Sequence, residues 1–212
     1  MEHAGISLFG SSIIGILLLI SHILGAFTVG IFFRFWKKGF TTYQTYKQNK
    51  SENKISNICA SNFGEVLSNS LKSATSTIVM IGGFVVLFSV IISIFNKCNL
   101  TYFIEQFFSP LCNFFNIPST IASSLFTGIF EITNGINLIA NIKLKQISIN
   151  IILTSFLLGL GGISVFLQVL SLVSKSDLSI KPYIIGKILH ATFSSIYTYV
   201  LILIFPIFNF NL

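Results

Sequence analysis

Four near-continuous apolar blocks run along this chain, at about Ile6 to Phe35, Ile78 to Phe95, Ile149 to Val173 and Pro182 to Ile204. Each reaches the roughly 18 to 20 residues that carry a helix across a hydrocarbon core. None shows the strict apolar-polar alternation of an outer-membrane barrel strand, so the pattern predicts helical spans. Two intervening stretches are amphipathic. Phe63 to Thr77 places Phe63, Val66, Leu67 and Leu71 at helical spacing, with Glu65, Asn69 and Lys72 on the other side, which predicts an interfacial helix leading into the second span. Asn96 to Ile117 surrounds Glu105 and Pro110 with phenylalanines and Tyr102, as in a helix at headgroup level.

A fifth apolar stretch, Ser123 to Asn141, departs from this pattern, because it carries Glu131, Thr133, Asn134, Gly135 and Asn137 at its centre. An unpaired carboxylate at membrane depth costs between about 3 and more than 10 kcal/mol, so it belongs in a bundle interior or a water-filled cavity. Asn134-Gly135 is a poor helix interior and is the expected break. Either Ser119 to Asn141 is a re-entrant hairpin with its tip there, or it crosses with a kink. Counting positive charges does not decide, since Lys143 and Lys145 on one side compete with Lys175 and Lys181 on the other.

Polar positions inside the spans fall on two stripes. Gly161, Ser164, Gln168 and Ser171 recur at i, i+3, i+7 and i+10. Gly159, Gly161 and Gly162 make local unwinding cheap there; the stripe is either a small-residue helix contact glued by Gln168 or the lining of a substrate path. Lys187, His190, Ser194 and Tyr197 repeat the spacing in the last span, where His190 is either a structural histidine or faces the same cavity as Glu131. His22 in the first span is expected to donate to a neighbouring backbone carbonyl, and Gly82-Gly83 to be a close-packing point.

Composition agrees with the pattern. The chain is 53% hydrophobic and 9% charged, with a mean hydropathy of +0.85, against roughly 25% charged in soluble domains. The net charge of +7 does not indicate nucleic acid, because five lysines gather between residues 37 and 54 beside a span, as the positive-inside rule produces. The expected organisation is a first transmembrane helix at 1–36, a basic cytoplasmic linker at 37–62 and a membrane domain at 63–212. Three cysteines, Cys59, Cys98 and Cys112, form no C-x-x-C pair. No P-loop, G-x-S-x-G, H-E-x-x-H or paired carboxylates appear, so neither an enzyme nor a metal or cofactor site is expected. Polar residues on interrupted, glycine-rich membrane helices suit transport.

Four motifs carry a resemblance: F-T-G-I-F-E-I-T-N-G-I (Phe126 to Ile136), L-G-L-G-G-I-S-V-F-L-Q-V (Leu158 to Val169), S-H-I-L-G-A-F-T-V-G (Ser21 to Gly30) and G-G-F-V-V-L-F-S-V-I-I (Gly82 to Ile92). They resemble those of the YlbJ (SpoVV) family of sporulation integral membrane proteins. That family belongs to the Gate, or nucleoside-recognition, group, which is similar to the concentrative nucleoside transporters. The resemblance implies a Gate-like domain at 63–212. It also implies passage of dipicolinate (pyridine-2,6-dicarboxylate), a small anionic aromatic substrate, from the mother cell across the outer forespore membrane of a spore-forming bacterium. Only the later half of the family's length is resembled, so the expected partners are membrane lipid and either a complementary N-terminal half or further copies of the chain.

On this reading the substrate contacts are Thr133, Asn134, Asn137, Ser164 and Gln168, with Gly161, Gly162 and His190 lining the path. Glu131, which repels a dianion, either pins the hairpin by accepting backbone N–H groups or couples transport to a proton or cation. The alternatives are a non-transporting membrane scaffold of a sporulation complex, or a carrier of nucleosides or cations.

Overall fold

The first apolar block does not form one helix. In the computed structural model, which describes residues 2–36, 63–142, 147–173 and 180–204, it divides at Gly10 into α1 (Glu2–Phe9) and α2 (Ser12–Trp36). Gly10 has φ +67°, a left-handed value that glycine adopts without steric cost. There the chain reverses, and α1 packs back on α2 with Gly5 against the backbone of Gly15. The basic linker expected at 37–62 lies outside the described residues.

Where an interfacial helix and a second span were expected, a single helix α3 runs from Phe63 to Lys97, 35 residues. At about 1.5 Å per residue it is about 52 Å long, well beyond a hydrocarbon core of about 30 Å. No glycine or proline signal interrupts Thr77-Ile78, so the backbone ladder continues from the amphipathic part into the apolar part. A Cβ added to Gly82 or Gly83 would meet no other described residue within 4 Å, so among the described residues this glycine pair is not the close-packing point expected of it. A turn at Cys98-Asn99 leads into α4 (Leu100–Phe114), whose Tyr102, Phe103 and Phe107 are exposed. Pro110 inside α4 removes the N–H that would reach the carbonyl of Gln106, and Ser109 Oγ donates to that carbonyl at 2.9 Å instead.

The acidic segment forms α5 (Thr120–Phe130) and α6 (Ile132–Asn141), separated by Glu131 alone. The two helices pack on each other, with Gly135 against the backbone of Gly128, and Thr120 and Asn141 from their far ends line one cavity. The segment therefore turns back on itself as a hairpin. Its tip is Glu131, and Asn134-Gly135 lies inside α6. Asn150 closes the return, its Nδ2 donating to the carbonyls of Ile139 and Ile142 at 2.9 and 2.8 Å.

The remaining helices are α7 (Ile147–Leu160), α8 (Gly162–Val173) and α9 (Lys181–Ile204). Contacts of Ser155 with Ser194, Gly159 with Ala191 and Phe166 with Tyr183 show that α7 and α8 run antiparallel along α9 as one interrupted crossing. Ile14, Leu17 and Leu18 of α2 meet Ile151 of α7 and Ile202 of α9 in one buried cluster, and Ile136 and Ile139 of α6 meet Leu157 of α7 in a second. Every regular element among the described residues is α-helical. Four stretches, Ser12–Phe35, Phe63–Lys97, Ile147–Ser171 and Lys181–Ile204, are long and apolar enough to cross a membrane. The chain is an all-α, multi-pass membrane protein.

Candidate functional site

The two interrupted elements meet at their interruptions. Glu131 is extended, at φ −141° and ψ 115°, and its N–H closes α5 on the carbonyl of Thr127 at 2.8 Å. Its carboxylate opens α6, accepting from the backbone N–H groups of Thr133 at 3.0 Å and Asn134 at 2.8 Å. These are donors that a helix start leaves without intrahelical partners, and negative charge is favoured there by the helix dipole. At 2% exposure the carboxylate is thus held as a cap.

Gly161 and Gly162 take φ +82° and +76°, and this consecutive left-handed pair breaks α7 from α8. A side chain on Gly162 would meet the carbonyls of Gly128 and Ile129 at 3.2 and 3.3 Å, and the N–H of Ile132 at 3.5 Å. The broken backbone of one element is therefore seated on the broken backbone of the other, an approach that only glycine allows. Irregular backbone at membrane depth is tolerated where protein buries it or a cavity borders it.

The predicted site residues divide between different places. Asn134 Nδ2 reaches Ser89 Oγ of α3 at 3.2 Å, and Asn137 borders a cavity of about 380 Å³ with Ser89, Ser93, Asn96, Thr127 and Asn141. A second cavity of about 430 Å³ shares Asn96, Thr127 and Asn141 with it and extends to Ser123 and Glu105, whose side chains hydrogen-bond at 2.5 Å. Together they make a groove between α3 and the hairpin, bordered by hydroxyl and amide groups and, at one end, by the Glu105 carboxylate. Ser89, Ser93 and Asn96, at i, i+4 and i+7 of α3, were missed by the sequence reading; their one-face spacing was the available signal. Thr133 contributes its backbone N–H to the Glu131 cap, and its side chain is exposed.

Ser164 and Gln168 are buried and satisfy each other, Gln168 Nε2 donating to Ser164 Oγ at 3.3 Å. Ser171, on the same stripe, reaches Met80 Sδ of α3 at 3.4 Å. The stripe thus faces the α3 contact. His190 is engaged with α2. Its Nε2 lies 2.9 Å from the carbonyl of His22 on α2, and its ring packs edge-on against that of His22, with centroids 4.3 Å apart. Tyr197 and Ser194 likewise bond Thr28 of α2 and Ser155 of α7, at 2.7 and 2.8 Å. The α9 stripe from His190 onward holds helices together, because its period places these residues against α2 and α7. The role expected of His22 is reversed: its backbone accepts, while its Nδ1 is buried without a partner.

No family model matches the chain, and no solved structure does. The chain is similar to the sporulation integral membrane protein YlbJ of Bacillus subtilis (strain 168). The two are 27% identical over 206 residues, covering 92% of this chain and 50% of YlbJ. The chain spans about half the length of that relative.

Proposed function

We propose that this chain belongs with YlbJ as a membrane protein of endospore formation, and that it is half of a carrier that moves dipicolinate across the outer forespore membrane. One observation supports transport above all: the hairpin tip at Glu131 is seated on the Gly161-Gly162 break of a crossing helix. Paired interruptions of this kind are how membrane carriers present helix ends to a substrate near the midplane. Thr133, Asn134 and Asn137 stand on the hairpin arm that borders the polar groove, where amides donate to a carboxylate. Gly161 and Gly162 supply the pliant backbone. Ser164 and Gln168 brace α8 beside it, and His190 braces α9. Glu131 serves as the cap of the hairpin, its two oxygens occupied by backbone N–H groups.

On this reading a complementary N-terminal half, or a second copy, docks on the groove. Ser93, Asn96, Asn137 and Asn141 are exposed on it, a row of polar groups suited to a polar partner rather than to lipid. That same observation favours the second reading, a non-transporting subunit that uses the groove only to bind its partner.

Uptake of labelled dipicolinate into proteoliposomes tests the choice. The carrier reading expects no flux from this chain alone and flux when the N-terminal half of a YlbJ-type protein is added. Absence of flux in both cases, with a stable complex of the two, supports the scaffold. Competition by uridine or a cation would redirect the cargo.

A further inference from the structure

Lys187 is the charged group of the interior that the site described above leaves unused. It lies six residues into α9, about 9 Å along the axis, and it is half-buried. Its Nζ comes within 3.5 Å of the position a Cβ on Gly161 would take, and it stands 6.0 Å from the centre of the Tyr183 ring. It therefore points to the break between α7 and α8. Across that break both oxygens of Glu131 are already occupied by N–H groups, and no described residue gives the ammonium an acceptor. An ammonium without a counter-charge at this depth is costly, and such residues mark ion or substrate paths.

The space beside it is shaped for a particular chemistry. A cavity of about 260 Å³ is bordered by Lys187, Gly162, Leu160, Ile129, Phe166 and Tyr183. The rings of Phe166 and Tyr183 lie 20° from parallel, with centroids 6.2 Å apart, and both border the cavity. At the cavity's broken-helix end, the first turn of α8 has N–H groups without intrahelical partners, where the dipole also favours an anion. The volume is just under the 300 Å³ or so at which drug-sized pockets begin, and suits a smaller molecule.

We infer that this cavity binds a small planar aromatic carboxylate, its carboxylate on Lys187 and its ring against Phe166 and Tyr183. The inference rests on the transport reading for the cargo's being of this class, and adds to it the residue that neutralises the charge. One ammonium offsets one carboxylate, so the second carboxylate of a dianion points away from Lys187. Pyridine-2-carboxylate and pyridine-2,6-dicarboxylate therefore bind this subsite with similar affinity.

Equilibrium dialysis of the detergent-purified full chain against these two labelled compounds is the test. Lys187→Met, which keeps length and apolar bulk, weakens both by about tenfold or more, while Lys187→Arg stays within about threefold. Phe166→Leu weakens both by about three- to tenfold. Absence of binding by the unaltered chain, or binding unchanged by Lys187→Met in a variant with an unaltered unfolding midpoint, overturns the inference. So does a Lys187→Met effect confined to retained phosphatidylglycerol, which would assign the ammonium to a lipid phosphate. If Lys187→Met does not fold, acylation of Lys187 with and without pyridine-2-carboxylate reads the same contact; protection is expected, and equal labelling overturns it. Binding that depends on Lys187 without dipicolinate flux in the two-half vesicles removes the transport reading alone. Flux from low dipicolinate that is unaffected by Lys187→Met removes the subsite alone.

Discussion

Glu131 shows how one side chain reconciles a carboxylate with an apolar segment. Its two oxygens satisfy two N–H groups at the start of α6, so charge, helix dipole and hydrogen-bond demand cancel locally. Removing them leaves two buried donors unsatisfied, at about 1 to 3 kcal/mol each. Glu131→Ala is accordingly expected to destabilise the chain by about 2 to 4 kcal/mol, read as a lower unfolding midpoint in detergent. Glu131→Gln, which keeps one acceptor, should fall between it and the parent; equal stability of all three would refute the cap. The chain's text shows that this carboxylate needs partners, and accepting backbone N–H groups was one role open to it. It misplaces the break, because Gly135 reads as a helix breaker when its purpose is contact with Gly128.

Among the helices, glycine signals alone do not tell a contact from an open surface. Gly159 packs against the backbone of Ala191, where an added Cβ would lie 2.6 Å from the Ala191 Cα. Gly82 and Gly83 of α3 face open space among the described residues. Gly159→Ala should therefore force α7 from α9 and cost about 1 to 3 kcal/mol. Gly83→Ala should be neutral or stabilising by up to about 1 kcal/mol, since alanine is the better helix former. A comparison of unfolding midpoints checks both, and a destabilised Gly83→Ala would mean that α3 has an intimate partner at that point. The period of the α9 stripe was legible, but its destination was not. Helical spacing says that His190, Ser194 and Tyr197 share a side, and only the neighbouring α2 and α7 say which surface that side meets.

For the molecule as a whole, the hairpin sets the topology. Because Thr120 and Asn141 border one cavity, the two ends of the 119–141 segment lie together, which predicts that both face the same side of the membrane. With Cys59, Cys98 and Cys112 replaced, cysteines placed singly at Ser119 and Asn141 should both react with an impermeant maleimide from one side only. Reaction from opposite sides would make the segment a crossing. Membrane insertion, helical class and the four spans could be read directly, since hydropathy is a sum over neighbouring residues and needs no knowledge of the fold. The acidic segment was legible for the same reason: the cost of Glu131 in hydrocarbon is a local quantity. The meeting of the hairpin break with Gly162, the groove between α3 and the hairpin, and the cavity at Lys187 are contacts between residues tens of positions apart. Their geometry depends on how whole helices cross and turn, which no local sum contains, so tertiary packing alone settles it.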